Sequence, residues 1–182
     1  SSWEIIFYFI LSLLCGVAGF LFVKAYFFFS DFFAKKVSIP QMLKPALGGL
    51  IIGIISIWTP QVMGNGYEAM QQALNGEMIW TLAFLLIFLK IGSTAITLGS
   101  GGLGGIFAPA LFIGAMLGSA FGAGTHFAFP SLSASPETYA VVGMGAVAGA
   151  VMQAPLTNIL MLFELTNDYT LILPIMMSCI VA

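Results

Sequence analysis

The chain has 182 residues, with five lysines, no arginine, seven acidic residues and a formal net charge of −2. It is 60% hydrophobic and only 7% charged, whereas ordinary soluble domains are about 45–50% apolar and about 25% charged. So few charges exclude a water-soluble domain and favour a polytopic membrane protein, and the small net charge does not favour a nucleic-acid partner.

Long apolar runs alternate with polar connections along the chain. In chain order we predict a membrane-length helix at 4–30, an apolar run at 46–58, a short helix at 67–74, a second membrane-length helix at 78–98, an apolar helix from about 106 to 124, and shorter apolar pieces near 139–152, 155–165 and 170–182. Several pieces are shorter than the roughly 20 residues that a bilayer-spanning helix needs. Short apolar segments interrupted by Gly or Pro are typical of transporters with broken helices. We therefore expect an all-α membrane protein with tilted and broken helices.

Lysine placement predicts the orientation. Lys35, Lys36 and Lys44 lie in one short connection, whereas the loops at 59–77 and 125–138 contain no lysine. The positive-inside rule places the lysine-containing connection in the cytoplasm and the two other loops outside. The chain also begins without Met and ends within an apolar run. We therefore expect residues 1–182 to be a single fragment of a longer membrane domain.

Glycines recur at a spacing of four residues. The pairs and triplet are Gly49 and Gly53; Gly114, Gly118 and Gly122; and Gly145 and Gly149. At this spacing glycines lie on one face of a helix and allow a neighbouring backbone to approach closely in lipid. We interpret all three sets as packing faces.

The segment GSGGLGGIFAPA, residues 99–110, is the one glycine-rich stretch between two membrane-length apolar runs. Its G-x-G-x-x-G spacing does not predict a nucleotide site, because no strand precedes it and no acidic residue follows at the required distance. Ser100 and His126 do not predict a hydrolase either, because the position two residues before Ser100 is Leu98, where the nucleophile elbow needs glycine.

A helix that starts near Ile106 predicts an anion site. Its first N–H groups have no intrahelical partners and lie at the positive end of the helix dipole. Gly104 and Gly105 lack side chains, so an ion can approach the backbone, and Pro109 in the first turn loses only an N–H that would be unpaired anyway. Anions bind at such helix N-termini. The alternative is a glycine turn that merely lets two helices pack.

Two blocks resemble one family. The sequence GSGGLGGIFAPALFIGAMLGSAFG at 99–122 is similar to the second-half selectivity motif of the CLC chloride channels and chloride/proton antiporters, and GMGAVAGAVMQAPLTNILMLFELTNDYTLILP at 143–174 is similar to helices near the end of that family's membrane domain. The resemblance extends over the whole chain. It implies the second of two inverted halves of a CLC-type fold.

The resemblance also implies a function and site residues. The backbone amides of Ile106 and Phe107 would coordinate chloride, with Gly104 and Gly105 shaping its approach. The implied activity is transport of chloride or a similar monovalent anion, coupled to protons by antiport; the alternatives are an uncoupled channel and a non-transporting scaffold. The family's gating and proton-relay glutamates are expected to lie outside this chain. The helices near 155–165 and 170–182 would form a homodimer interface.

Further expectations follow from the same resemblance. We expect a multi-pass protein of the cell (inner) membrane that is not an enzyme and needs no cofactor or metal. Glu164 lies in an apolar segment, where a carboxylate must be paired or face water. Lys90 has three alternatives: pairing with such an acid, facing solvent, or extending to the membrane interface. Asp168 is interpreted as part of a loop and helix cap before the last helix.

Overall fold

A computed structural model describes residues 2–130, 133–166 and 169–182. These residues form eight α-helices and no strand, as the sequence predicts. The helices are α1 Ser2–Lys35, α2 Lys44–Trp58, α3 Tyr67–Leu74, α4 Trp80–Gly99, α5 Phe107–Ala128, α6 Pro136–Met152, α7 Pro155–Thr166 and α8 Ile172–Val181. Among the described residues, α1, α4, α5 and α2 with the turn before it are long and apolar enough to cross a membrane. Asp168 lies outside the described residues.

Helix α5 occupies the centre of the fold. It packs most extensively against α6 and also contacts α4, while α1 crosses α4, α6 and α8. The side chains of Phe112, Ile113 and Met116 on α5 are fully buried. They meet buried apolar residues of the neighbouring helices. The position of α5, and hence of its first residue, is therefore set by contacts on several sides.

The close packing of α5 on α6 depends on glycine. A Cβ atom at Gly114 would overlap the carbonyl oxygen of Gly143, and one at Gly122 would lie 2.7 Å from the Cα atom of Pro136. These contacts are with backbone, which cannot rotate away. The predicted packing role is confirmed for the glycines of α5.

Gly49 and Gly53 do not pack against any described residue. A Cβ atom at either position would have no described atom within 4 Å. The close contact of α2 is made instead by Gly48, where a Cβ atom would overlap the hydroxyl oxygen of Ser100. Successive residues differ by about 100° around a helix, so the Gly49 face points away from the helix that Gly48 meets.

The polar connection predicted at 125–138 is shorter than expected. Helix α5 continues to Ala128, and α6 already begins at Pro136. Thr125 lies inside the helix, where its hydroxyl donates to the Phe121 carbonyl oxygen at 3.0 Å. Ser135 caps α6 by accepting a hydrogen bond from the Thr138 amide at 3.4 Å. The polar residues of this connection are therefore partly used at the two helix ends, which shortens the loop between them.

Candidate anion site at the start of helix α5

The glycine-rich segment folds back from the end of α4. The amide of Gly102 donates to the carbonyl oxygen of Thr97 at 2.9 Å, and the amide of Ser100 donates to that of Ile96 at 2.9 Å. Gly101 has φ +88°, a left-handed conformation that suits glycine at the end of a helix. The turn satisfies the last carbonyls of α4 and leaves residues 103–106 to lead into α5.

Four backbone amides at the start of α5 are unpaired. The first hydrogen bond of the helix runs from the Ala110 amide to the Ile106 carbonyl oxygen at 3.1 Å. Within the described residues, the amides of 105–108 donate no hydrogen bond, and no side chain caps the helix. Pro109 occupies the first turn, where its missing N–H costs nothing. The predicted unpaired amides are therefore present, although the helix begins at Phe107 rather than at Ile106.

The segment that leads into α5 is exposed. Gly104, Gly105 and Ile106 are exposed. A Cβ atom at Gly105 would meet no described atom within 4 Å. Phe107 is half-buried and packs against the core. The four predicted site residues are thus consecutive on one segment, of which the first three are exposed and the fourth is half-buried.

A cleft of about 280 Å³ lies beside this segment. Its walls include Gly104, Gly105 and a polar stretch of α4 that contains Lys90, Ser93 and Thr97. Three hydroxyl residues of α4, Ser93, Thr94 and Thr97, line the cleft. Two of them donate to carbonyl oxygens of α4 itself, Ser93 to Lys90 at 3.2 Å and Thr97 to Ser93 at 2.8 Å. The hydrogens of Ser93 and Thr97 are therefore engaged, and among the described residues that line the cleft Lys90 is the charged one.

Lys90 follows none of the three alternatives that its sequence context suggested. Its side chain is only 2% exposed, so it neither faces solvent nor extends to the membrane interface. Its ammonium donates to the carbonyl oxygens of Val62 at 3.0 Å and Gly64 at 2.6 Å, and it lies 4.9 Å from the centre of the Phe112 ring. Among the described residues no carboxylate lies within ion-pair distance of Lys90, and Glu164 is exposed. Its position in the cleft is the feature that sequence reasoning missed.

The rejected enzyme interpretation finds no support in the geometry. Ser100 donates to the carbonyl oxygen of Thr97 at 2.9 Å, next to the start of α5. His126 lies in the last turn of the same 22-residue helix, where its Nδ1 atom is 3.4 Å from the hydroxyl of Ser133. The two side chains are thus held at opposite ends of α5 and do not form a nucleophile and base pair.

Comparison with known proteins agrees with the fold. Residues 1–182 match the family described as voltage gated chloride channel. The chain is 44% identical over 180 residues to a putative chloride channel protein ClcB-like of Ralstonia nicotianae, covering 99% of this chain and 42% of that protein. It is 38% identical to chloride channel protein CLC-f of Arabidopsis thaliana, covering 97% and 24%.

A third relative is named as an exchanger rather than a channel. The H(+)/Cl(−) exchange transporter ClcA of Vibrio parahaemolyticus is 34% identical over 174 residues, covering 94% of this chain and 37% of that protein. The chain therefore spans less than half the length of these relatives. The match over all 182 residues and the shared motifs show that the chain belongs to the CLC family of voltage-gated chloride channels and related exchangers.

Proposed function

We propose that this chain forms one half of the membrane domain of a chloride transporter and supplies backbone donors for the anion. The observation that carries the proposal is the set of four unpaired amides at residues 105–108, at the exposed start of a centrally packed helix. Together with the helix dipole, which acts as roughly half a positive charge, these donors stabilise a monovalent anion. The site residues are Gly104, Gly105, Ile106 and Phe107.

Backbone donors suit transport because they bind an anion without the full charge of a side-chain cation. A conducted ion must bind favourably enough to enter and weakly enough to leave. Gly104, Gly105 and Ile106 are exposed in this chain. We infer that the remainder of a complete protein closes the site there and contributes further ligands.

Proton-coupled antiport is the proposed mode of transport, and its support is that the ClcA relatives are named H(+)/Cl(−) exchange transporters. The ClcB-like relative, which is named as a putative channel, supports the uncoupled alternative. The complete protein would be a multi-pass protein of the cell membrane. A non-transporting scaffold with the same fold is the remaining alternative.

Simultaneous recording of chloride and external pH distinguishes these modes. The complete parent protein is reconstituted in liposomes, and chloride efflux is started down its gradient. We expect efflux accompanied by uphill movement of protons, because antiport exchanges the two ions in opposite directions. Efflux without proton movement would identify a channel, and absence of flux for every halide and nitrate would contradict the proposal as a whole.

The oligomeric state is proposed to be a homodimer formed through α7 and α8. Both helices present large apolar side chains that no other described residue covers, among them Leu156, Leu160, Leu173 and Ile180. Each subunit would carry its own pathway. Counting photobleaching steps of the labelled protein in nanodiscs should give two steps per particle.

A further inference from the structure

Lys90 is a buried lysine within a membrane-length helix. It lies in the membrane-length helix α4 and is 2% exposed. A buried charge in a membrane segment is unfavourable unless it is paired, and such residues are therefore candidates for a function. None of the described acidic residues pairs with it, so its charge lacks a counter-ion among them.

The surroundings of Lys90 suit a protonated ammonium. Its hydrogen-bond partners are the carbonyl oxygens of Val62 and Gly64, and the face of the Phe112 ring lies beside it. All three partners are electron-rich, and an ammonium can donate but cannot accept. Two of its three N–H groups are used in this way. Carbonyl dipoles hold the ammonium in place, but they do not neutralise its charge.

Lys90 belongs to the wall of a cleft that reaches two of the four proposed site residues. Gly104 and Gly105 line this cleft together with Lys90, and Asn65 lines it from the loop whose carbonyls hold the ammonium. We propose that Lys90 is a further determinant of anion binding and that the anion in this cleft is its counter-ion. The inference rests on the proposed function, since it assigns a second source of positive potential to the same site.

The two sources of positive charge would have different tasks. The amides at 105–108 lie at the exposed start of α5 and act as direct ligands. Lys90 is fixed by its two carbonyl partners, which reduce its field without removing it, and so it raises the potential of the cleft at longer range. A partly compensated cation attracts the anion without holding it permanently, as transport requires.

Calorimetric titration of the complete protein with chloride tests the inference. We expect Lys90→Gln to weaken chloride binding about tenfold, because one charge is removed while a hydrogen-bond donor remains. Lys90→Arg should stay close to the unaltered protein, because it keeps the charge. Lys24→Gln is the matched control, since Lys24 is an exposed lysine of α1 outside the cleft, and it should leave binding unchanged.

A second variant tests the charge without altering Lys90. Asn65→Asp places a carboxylate of nearly the same size on the cleft wall, where it competes with chloride for the ammonium. We expect binding to weaken about tenfold in this variant as well. This result does not depend on whether Lys90→Gln folds.

The outcomes separate the inference from the proposed function. Unchanged chloride affinity in folded Lys90→Gln or in Asn65→Asp would overturn the role of Lys90. An equal loss of chloride affinity in Lys90→Arg and Lys90→Gln would also overturn it, because the shape of the side chain rather than its charge would then determine the affinity. If the unaltered complete protein bound no chloride, the proposed function itself would fail, and the inference would fail with it.

Discussion

An ester linkage in place of the amide between Ile106 and Phe107 is expected to weaken chloride binding about 10- to 100-fold, the range for loss of one hydrogen bond to a charged partner. The substitution replaces a single N–H by oxygen and keeps the Phe107 side chain. In the described structure this N–H has no protein partner, so its removal breaks no bond of the fold. Calorimetric titration of the complete protein, prepared by semisynthesis, measures the change.

The ester is a sharper test than Phe107→Pro, which also removes the N–H. Proline disfavours the helical conformation of the residue before it, and Ile106 has φ −92° and ψ −18°, within that region. The proline variant also removes the aromatic side chain that packs on the core. A loss of binding in that variant would therefore combine three effects.

Two controls isolate the amide. Phe107→Ala keeps the N–H and removes the ring, so it should retain most of the chloride affinity. An ester between Ala128 and Phe129 removes the N–H that donates to Thr125 at 2.7 Å, at the opposite end of α5. That ester should lower stability slightly and leave affinity unchanged. Unchanged affinity in the folded Phe107 ester would show that the anion site is wrongly assigned.

The unpaired amides at the start of α5 could be predicted from sequence because their cause is local. A helix that begins after Gly105 must leave its first amides unpaired, whatever surrounds it. The same locality explains why helix α3, Tyr67–Leu74, was predicted with its observed bounds. Gly66 has φ +73° at its N-terminal end, as a glycine turn before a short helix requires.

The environment of Lys90 could not be predicted, because it depends on tertiary contacts. The carbonyl groups that hold it belong to residues 26 and 28 positions away in the chain. Nothing in the periodicity of α4 shows that the loop at 60–66 lies against that face. Gly49 and Gly53 show the same limit, since a spacing of four identifies a helix face but not whether another helix covers it.

Gly118→Ala is expected to prevent folding or to reduce stability at or above the upper end of the about 1–3 kcal/mol that overpacking typically costs. A Cβ atom at Gly118 would overlap the carbonyl oxygen of Tyr139 and lie 2.8 Å from the Cα atom of Ala140. Both are backbone atoms of α6, so no side-chain rotation relieves the contact. Size-exclusion chromatography and thermal unfolding in detergent measure the loss of folded protein.

Gly124→Ala is the matched control in the same helix. A Cβ atom at Gly124 would have no described atom within 4 Å. Alanine is a better helix former than glycine by about 1 kcal/mol, so this variant should be as stable as the unaltered protein or slightly more so. A folded Gly118→Ala protein with an unchanged unfolding temperature would contradict the packing described for α5 and α6.

The two perturbations should separate stability from binding. The ester at Phe107 removes one proposed ligand from a fold that is otherwise unchanged, so affinity should fall while the unfolding temperature stays the same. Any Gly118→Ala protein that does fold must move α5 away from α6, and this movement shifts residues 105–108 with the helix that carries them. Affinity and stability should then fall together, because the position of the amides depends on how closely α5 packs.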